Sequence, residues 1–213
     1  MDSSGSISPN NWNTALQFVA TVSSQFTIGP NNVQVAFVLF SDEATVKWDL
    51  RRHQDKAHLD YAIKSVRRIG SLTNLNDALY LTRTEVFAPG RGTRPRAKKV
   101  TIILTDGEDN VPLPGTPLTI QNATECKNAG IQLIAIGVSD QVTEQRLRQI
   151  VSNQHTDYYP VTDFSALQRS ALAPLLLELC GISFTPAPVT SIKSCYTHSR
   201  RMLSKTLLCF FAT

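Results

Sequence analysis

This 213-residue sequence predicts an α/β protein with a doubly wound, mostly parallel sheet flanked by helices. Three observations predict it. Apolar runs at 33–40 (VQVAFVLF), 100–104 (VTIIL) and 131–138 (IQLIAIGV) read as strands buried on both faces. Segments of helical period stand between them. The two kinds of segment alternate along the chain, the pattern of parallel strands joined by helical crossovers.

The first helix starts at SPNNWNTALQFVATVSSQF: Ser8 can cap it, Pro9 suits the first turn, and Trp12, Leu16, Val19, Val22 and Phe26 fall on one face. After the strand at 33–40, ATVKWDL (44–50) alternates apolar with polar and lies within hairpin reach, which makes it the antiparallel edge. KAHLDYAIKSVRRI puts Leu59, Ala62, Ile63, Val66 and Ile69 on one helical face, and NDALYLTRTEVF does the same with Ala78, Leu79, Leu81 and Val86. GSLTNLN turns between them. The strand VTIIL ends in Thr105-Asp106-Gly107; a helix over TIQNATECKNAG is closed by Gly130. TEQRLRQIVS is a helix, DYYPV a short strand, and DFSALQRSALAPLLLELC a last helix capped by Asp163 and kinked or broken by Pro174. Past Gly181 the text ISFTPAPVTSIKS loses all period, so the domain spans 1–181 and residues 182–213 read as a linker and poorly ordered tail. One irregularity stands at the start. A strand should feed the first helix, yet only Met1 precedes Asp2, so the first, central strand is expected to be missing.

Bulk composition narrows the function. With 42% hydrophobic and 18% charged residues, the chain has the make-up of one soluble globular domain. Much of the excess positive charge sits in GRGTRPRAKK and SRRMLSK, without interleaved aromatics, which argues against nucleic acid. The terminal run TLLCFFAT is too short to cross a bilayer. Cys126, Cys180, Cys195 and Cys209 lack metal-ligand spacing, which disfavours zinc. Cys126 reads as a small buried side chain, and the four histidines as structural or exposed. Asn122-Ala-Thr124 has the glycosylation pattern, which matters only in a secreted chain.

The opening, DSSGS, places one carboxylate and several hydroxyls in the loop that enters the first helix. Ligands of open α/β sheets bind outside the carboxyl ends of the strands, and Thr73 and Asp106 converge on that rim. Each residue alone has a plain structural role: Asp2 and the serines as helix caps, Thr73 in a turn, Asp106 before a glycine. Their conjunction, two carboxylates and three hydroxyls, is the ligand set of six-coordinate Mg²⁺ or Mn²⁺, with a position left for an acidic partner. Glu108 and Asp109 lie close by in sequence and read as solvated loop carboxylates.

Asp2-Ser3-Ser4-Gly5-Ser6, Thr73 within GSLTNLNDAL, and LTDG at 104–107 resemble the metal-ion-dependent adhesion site of von Willebrand factor type A domains, over about residues 1–181. The texture resembles extracellular matrix members of the collagen and matrilin kind, N-terminally truncated. The resemblance implies a Rossmann-like doubly wound fold and metal ligation by Asp2, Ser4, Ser6, Thr73 and Asp106. It further implies a secreted adhesion module whose protein ligand, collagen or another matrix protein, offers an Asp or Glu, with no membrane insertion. In matrix members Cys180 often pairs with a cysteine ahead of the first strand, and no such cysteine is in view here.

Two other classes compete. A metal-dependent hydrolase needs a base or nucleophile beside the metal; the three motif loops offer no histidine or lysine, and no GxxxxGK phosphate loop occurs. A structural domain of the same fold without metal binding is the second alternative. The expectation is therefore a binding module rather than an enzyme.

Overall fold

The computed structural model describes residues 1–107, 118–138 and 144–180, together with the backbone of Thr206–Ala212. Its elements run α1 (Pro9–Ser24), β1 (Gln34–Phe40), β2 (Ala44–Trp48), α2 (Lys56–Lys64), α3 (Leu75–Leu81), β3 (Lys98–Thr105), α4 (Leu118–Asn128), β4 (Ile131–Val138), α5 (Glu144–Ile150), β5 (Tyr158–Val161), α6 (Leu167–Ser170), α7 (Leu172–Cys180) and β6 (Thr206–Ala212). They form one six-stranded sheet in the order β2-β1-β6-β3-β4-β5. Only the β1–β2 edge pair is antiparallel; the other neighbours are parallel.

Each long strand is buried on both faces because its apolar residues alternate between two cores. Phe37, Leu39, Ile102, Leu104, Ile134 and Ile136 face one side, where they meet α1, α2 and α7. Val38, Phe40, Ile103, Leu133 and Ala135 face the other, against α3, α4 and α5. The continuous apolar text of these strands follows from that two-sided burial. On the edge strand β2, Ala44 and Val46 pack against the second core while Thr45 and Lys47 are exposed, and a register shift opposite Phe37–Val38 then turns Trp48 to the first core, beside Phe37.

The central position is where the structure departs most from the expectation. Thr206–Ala212, read from sequence as part of a tail, is a strand, and it lies between β1 and β3 where the feeding strand was thought missing. A seven-residue stretch that is apolar almost throughout suits a position flanked on both sides; read locally, its distance from the rest of the domain hid that role.

Three helices also differ in extent. α2 stops at Lys64, so Val66 and Ile69 do not continue its face; Ser65 closes it with a hydroxyl bond to the Tyr61 carbonyl at 2.7 Å. The following residues leave the helix to bond the N-terminal loop, and Ile69 is exposed. α3 passes into a π-helical turn over Thr82–Val86, closed by Phe87 N donating to Thr82 O at 2.9 Å; Leu81 is half-buried, whereas Thr82, one turn after buried Ala78, is fully buried. The last helix is three pieces: a 3₁₀ turn over Phe164–Ala166 capped by Asp163, then α6 and α7. The break falls at Ala171 rather than at Pro174. Proline clashes with the carbonyl four residues earlier, that of Ser170, and is tolerated in a first turn, where its missing N–H is no loss.

Candidate metal-binding site

The loop from Asp2 to Ile7 runs between two strand ends. Asp2 pairs in parallel with Phe40, the last residue of β1, through Phe40 N to Met1 O at 3.2 Å and Ser3 N to Phe40 O at 3.0 Å. Ile7, fully buried, anchors the other end of the loop, and Ser8 then caps α1 by accepting from Asn11 N. Asp106 follows β3 directly, so both carboxylates stand at the carboxyl ends of neighbouring strand lines.

A chain of hydrogen bonds joins these points. Ser6 Oγ donates to Asp106 Oδ1 at 2.9 Å, and Ser4 Oγ lies 2.8 Å from Ser6 Oγ. Ser6 has one proton and gives it to the carboxylate, so Ser4 is the donor to Ser6. Both hydroxyls thereby spend their protons toward Asp106 and keep oxygen lone pairs to offer elsewhere. Ser4 N donates to Asp2 Oδ1 at 2.5 Å, while Asp2 Oδ2 is buried without a hydrogen-bond partner. Asp2 and Ser4 are buried and Ser6 is exposed, so the group opens to solvent at Ser6.

Burial dominates the electrostatics. It raises the Asp2 carboxyl from the ordinary 3.8 to about 7; the Ser4 hydrogen bonds pull the other way, and the Asp106 charge adds to the rise. Burial also raises Asp106, opposed by the Ser6 hydroxyl. Two carboxylates held close in a desolvated pocket are unfavourable as anions unless a positive charge joins them.

Thr73 is nearly buried, in the loop before α3. That loop is laced to the first one: Gly5 N donates to Ser71 O at 2.8 Å, Ile69 N to Ser3 Oγ at 2.8 Å, Gly70 N to Ser3 O at 2.5 Å, and Arg68 Nη1 to Ser4 O at 2.8 Å. A third loop, after β1, supports both. Asp42 Oδ1 accepts from Ser71 Oγ and Leu72 N, Asn74 Nδ2 donates to Asp42 O at 2.8 Å, and Ser41 Oγ donates to Leu72 O at 3.2 Å. Sequence reasoning missed Ser3, Ser41, Asp42 and Arg68 in this supporting role. The available signal was position: Ser41-Asp42 follows the run VQVAFVLF directly, at the same end of the sheet.

Glu108 and Asp109 lie outside the described residues. Among the described residues no three His, Cys, Asp or Glu side chains cluster so as to hold a metal. Cys126 is free and buried, its Sγ 3.3 Å from Leu79 O; Cys180 is disulfide-bonded. Asn122 Nδ2 donates to Asn76 Oδ1 at 2.7 Å, tying α4 to α3.

A Rossmann-like sheet with an oxygen-rich loop at its carboxyl edge defines the class. The von Willebrand factor type A domain profile matches residues 1–172, and the chain belongs to that family. It is 32% identical to the collagen alpha-1(XII) chain of Notophthalmus viridescens over 78% of its own length and 17% of that protein's. To the human collagen alpha-1(XX) chain it is 33% identical over 84% and 13%, and to bovine matrilin-1 27% identical over 79% and 30%. The chain thus spans under a third of the length of these relatives. Among solved structures it resembles proximal thread matrix protein 1 from the mussel byssus, with a TM-score of 0.70, 29% identity, and coverage of 79% of this chain and 42% of that one. Another structure of that mussel protein has a zinc-occupied metal-ion-dependent adhesion site, with 29% identity and a TM-score of 0.69. No described helix is long and apolar enough to cross a membrane.

Proposed function

We propose that this domain is a divalent-cation-dependent adhesion module of the extracellular matrix, secreted, which binds a protein ligand through an Asp or Glu side chain. The observation that carries the reading is Asp2 Oδ2, a buried carboxylate oxygen with no hydrogen-bond partner beside two hydroxyls whose protons are already committed. Leaving such an atom unmet costs about 1–3 kcal/mol, and more when it is charged, and a hard cation is the partner that removes the cost. Mg²⁺ or Mn²⁺ suits an all-oxygen set; zinc, as in the mussel protein, prefers nitrogen and sulfur.

Asp2, Ser4, Ser6, Thr73 and Asp106 would hold the ion, directly or through water. Bound there, the ion supplies a Lewis-acidic point that accepts a carboxylate from another protein. Binding rather than catalysis follows from the residues at the rim: the three motif loops supply hydroxyls and carboxylates, with no histidine or lysine to act as a base. Collagen or another matrix protein is the proposed partner, on the strength of the collagen and matrilin relatives.

Isothermal titration of the full chain with MgCl₂ and MnCl₂ tests the metal. Saturable binding that Asp106→Ala abolishes is the expected result, and no saturable binding by the native chain leaves the structural alternative. Capture of immobilised collagen, sensitive to EDTA, tests the partner; capture that persists in EDTA would rule out the cation-dependent reading.

A further inference from the structure

The sheet has a groove at its centre, and what fills it comes from far along the chain. β1 and β3 are separated by one strand's width, and β6 lies between them, paired on one side over Gln34–Leu39 and on the other over Lys98–Leu104. All seven residues of β1 are buried, as are the last six of β3. The groove therefore has backbone donors and acceptors along both walls and apolar side chains around it. Only an extended, apolar segment that bonds on both sides can occupy it without leaving buried amides unmet.

The occupant ends where the oxygen-rich loop begins. Ala212 pairs with Leu39, and the next residue of β1, Phe40, pairs with Asp2. Two segments some 200 positions apart in the chain thus lie nearly end to end along one edge of β1. Met1 N also donates to Val38 O, within the stretch that β6 covers. Between Cys180 and Thr206 the chain has 25 residues, enough for roughly 80–90 Å when extended. That reach exceeds the length of the sheet's strands, which are at most eight residues long.

The geometry points to a strand-acceptor groove between β1 and β3, a binding site for one parallel, apolar β-segment, whose occupant is this chain's own Thr206–Ala212 and whose occupation fixes the Asp2–Ser6 loop. The mode is strand addition, in which main-chain bonds supply the affinity, here at the centre of the sheet rather than at its edge. The groove differs from the cation site in ligand and in chemistry, and the inference holds whether or not a cation binds.

Hydrogen–deuterium exchange on the full native chain in EDTA provides the first test. Amides of 206–212 are expected to exchange as slowly as those of β3; exchange at the rate of unstructured chain would overturn the proposal. Phe210→Pro removes one donor from the segment and is expected to speed exchange of residues 2–6 at least tenfold while helix α4 stays protected. A synthetic peptide of residues 206–213 added to that variant is expected to restore protection. If residues 2–6 exchange in the variant as in the native chain, the link to the loop is wrong. Should the variant not fold, paired cysteines in register, Leu39→Cys with Ala212→Cys, give an independent reading: an intrachain disulfide supports the assignment. A disulfide-linked dimer would mean that a second copy supplies the strand, and would overturn it.

Discussion

Ser6 donates its hydroxyl proton to Asp106 at 2.9 Å and so joins two residues one hundred positions apart. The bond does two things. It brings the strand end of β3 against the loop that precedes α1, and it lowers the cost of ionised Asp106 in a buried place. Ser6→Ala removes both effects together with one lone-pair donor. The expected outcome is a loss of about 1 kcal/mol in stability and roughly tenfold weaker Mg²⁺ binding, measured by denaturant unfolding and calorimetric titration. Unchanged cation affinity would show that Ser6 is not part of the ligand set.

Asp2 makes the metal-free domain pH-dependent in a direction opposite to that of an ion-paired aspartate. Its carboxyl rises from 3.8 to about 7 on folding, so between those values the folded chain holds a proton that the unfolded chain has released. Stability is then greatest below pH 4 as far as this group is concerned, and is lost as the pH climbs to about 7. The full swing is about 4 kcal/mol, and Asp106, raised by the same cause, adds to it with the same sign. Unfolding free energies in EDTA at pH 5 and 7.5 should show the decline, and Asp2→Asn should flatten it. Cation binding needs the ionised carboxyl, so Mg²⁺ at a hundred times its Kd should return about 2.7 kcal/mol at pH 7.5 and much less at pH 5.

Most of the sheet was legible because its strands obey local rules. VQVAFVLF and IQLIAIGV are continuously apolar since both faces are covered, and ATVKWDL alternates since it lies on the edge. Ser8, Asp163 and Gly130 announced their helix ends through capping chemistry that depends only on near neighbours. What escaped is non-local. Nothing within TLLCFFA says that its partners are β1 and β3, because strand pairing over such a distance leaves no periodic mark in the text. Ile69 looked like helix face, yet its amide is taken by Ser3 Oγ, a contact across 66 positions. At the site, DSSGS, Thr73 and Asp106 stood out as oxygen donors, whereas Asp42 and Arg68, which brace them through backbone groups, look like any surface charge.

Gly92 is required where it stands. Its φ is +98°, and a Cβ there would come within 2.7 Å of Arg51 Cγ and 2.9 Å of Leu50 Cβ. Gly90 also has a positive φ, +83°, but faces open space. Gly90→Ala should therefore cost only the backbone strain, about 1 kcal/mol, while Gly92→Ala adds a steric clash and should cost about 2–3 kcal/mol. Thermal melts of the two variants side by side check the order, and equal costs would show that the Leu50–Arg51 segment yields freely.

Trp12 reaches from the first core to the site through one bond. Its indole Nε1 donates to Val66 O at 3.0 Å, just after α2 ends, and the residues that follow are those whose amides Ser3 accepts. The indole thus holds the start of a segment, 66–72, in which Arg68, Ile69, Gly70, Ser71 and Leu72 bond the oxygen-rich loop or its support. Trp12→Phe keeps a ring in the buried position but leaves the Val66 carbonyl unmet. The hydrogen bond contributes about 1 kcal/mol and the lost ring volume about 1 kcal/mol more. Beyond that global loss, the amides of Ile69 and Gly70 should exchange several-fold faster than those of α2, and Mg²⁺ affinity should fall two- to fivefold although no ligand atom has changed. Exchange that rises equally in α2 and in 66–72 would mean that Trp12 acts only through the core, with no separate hold on the site.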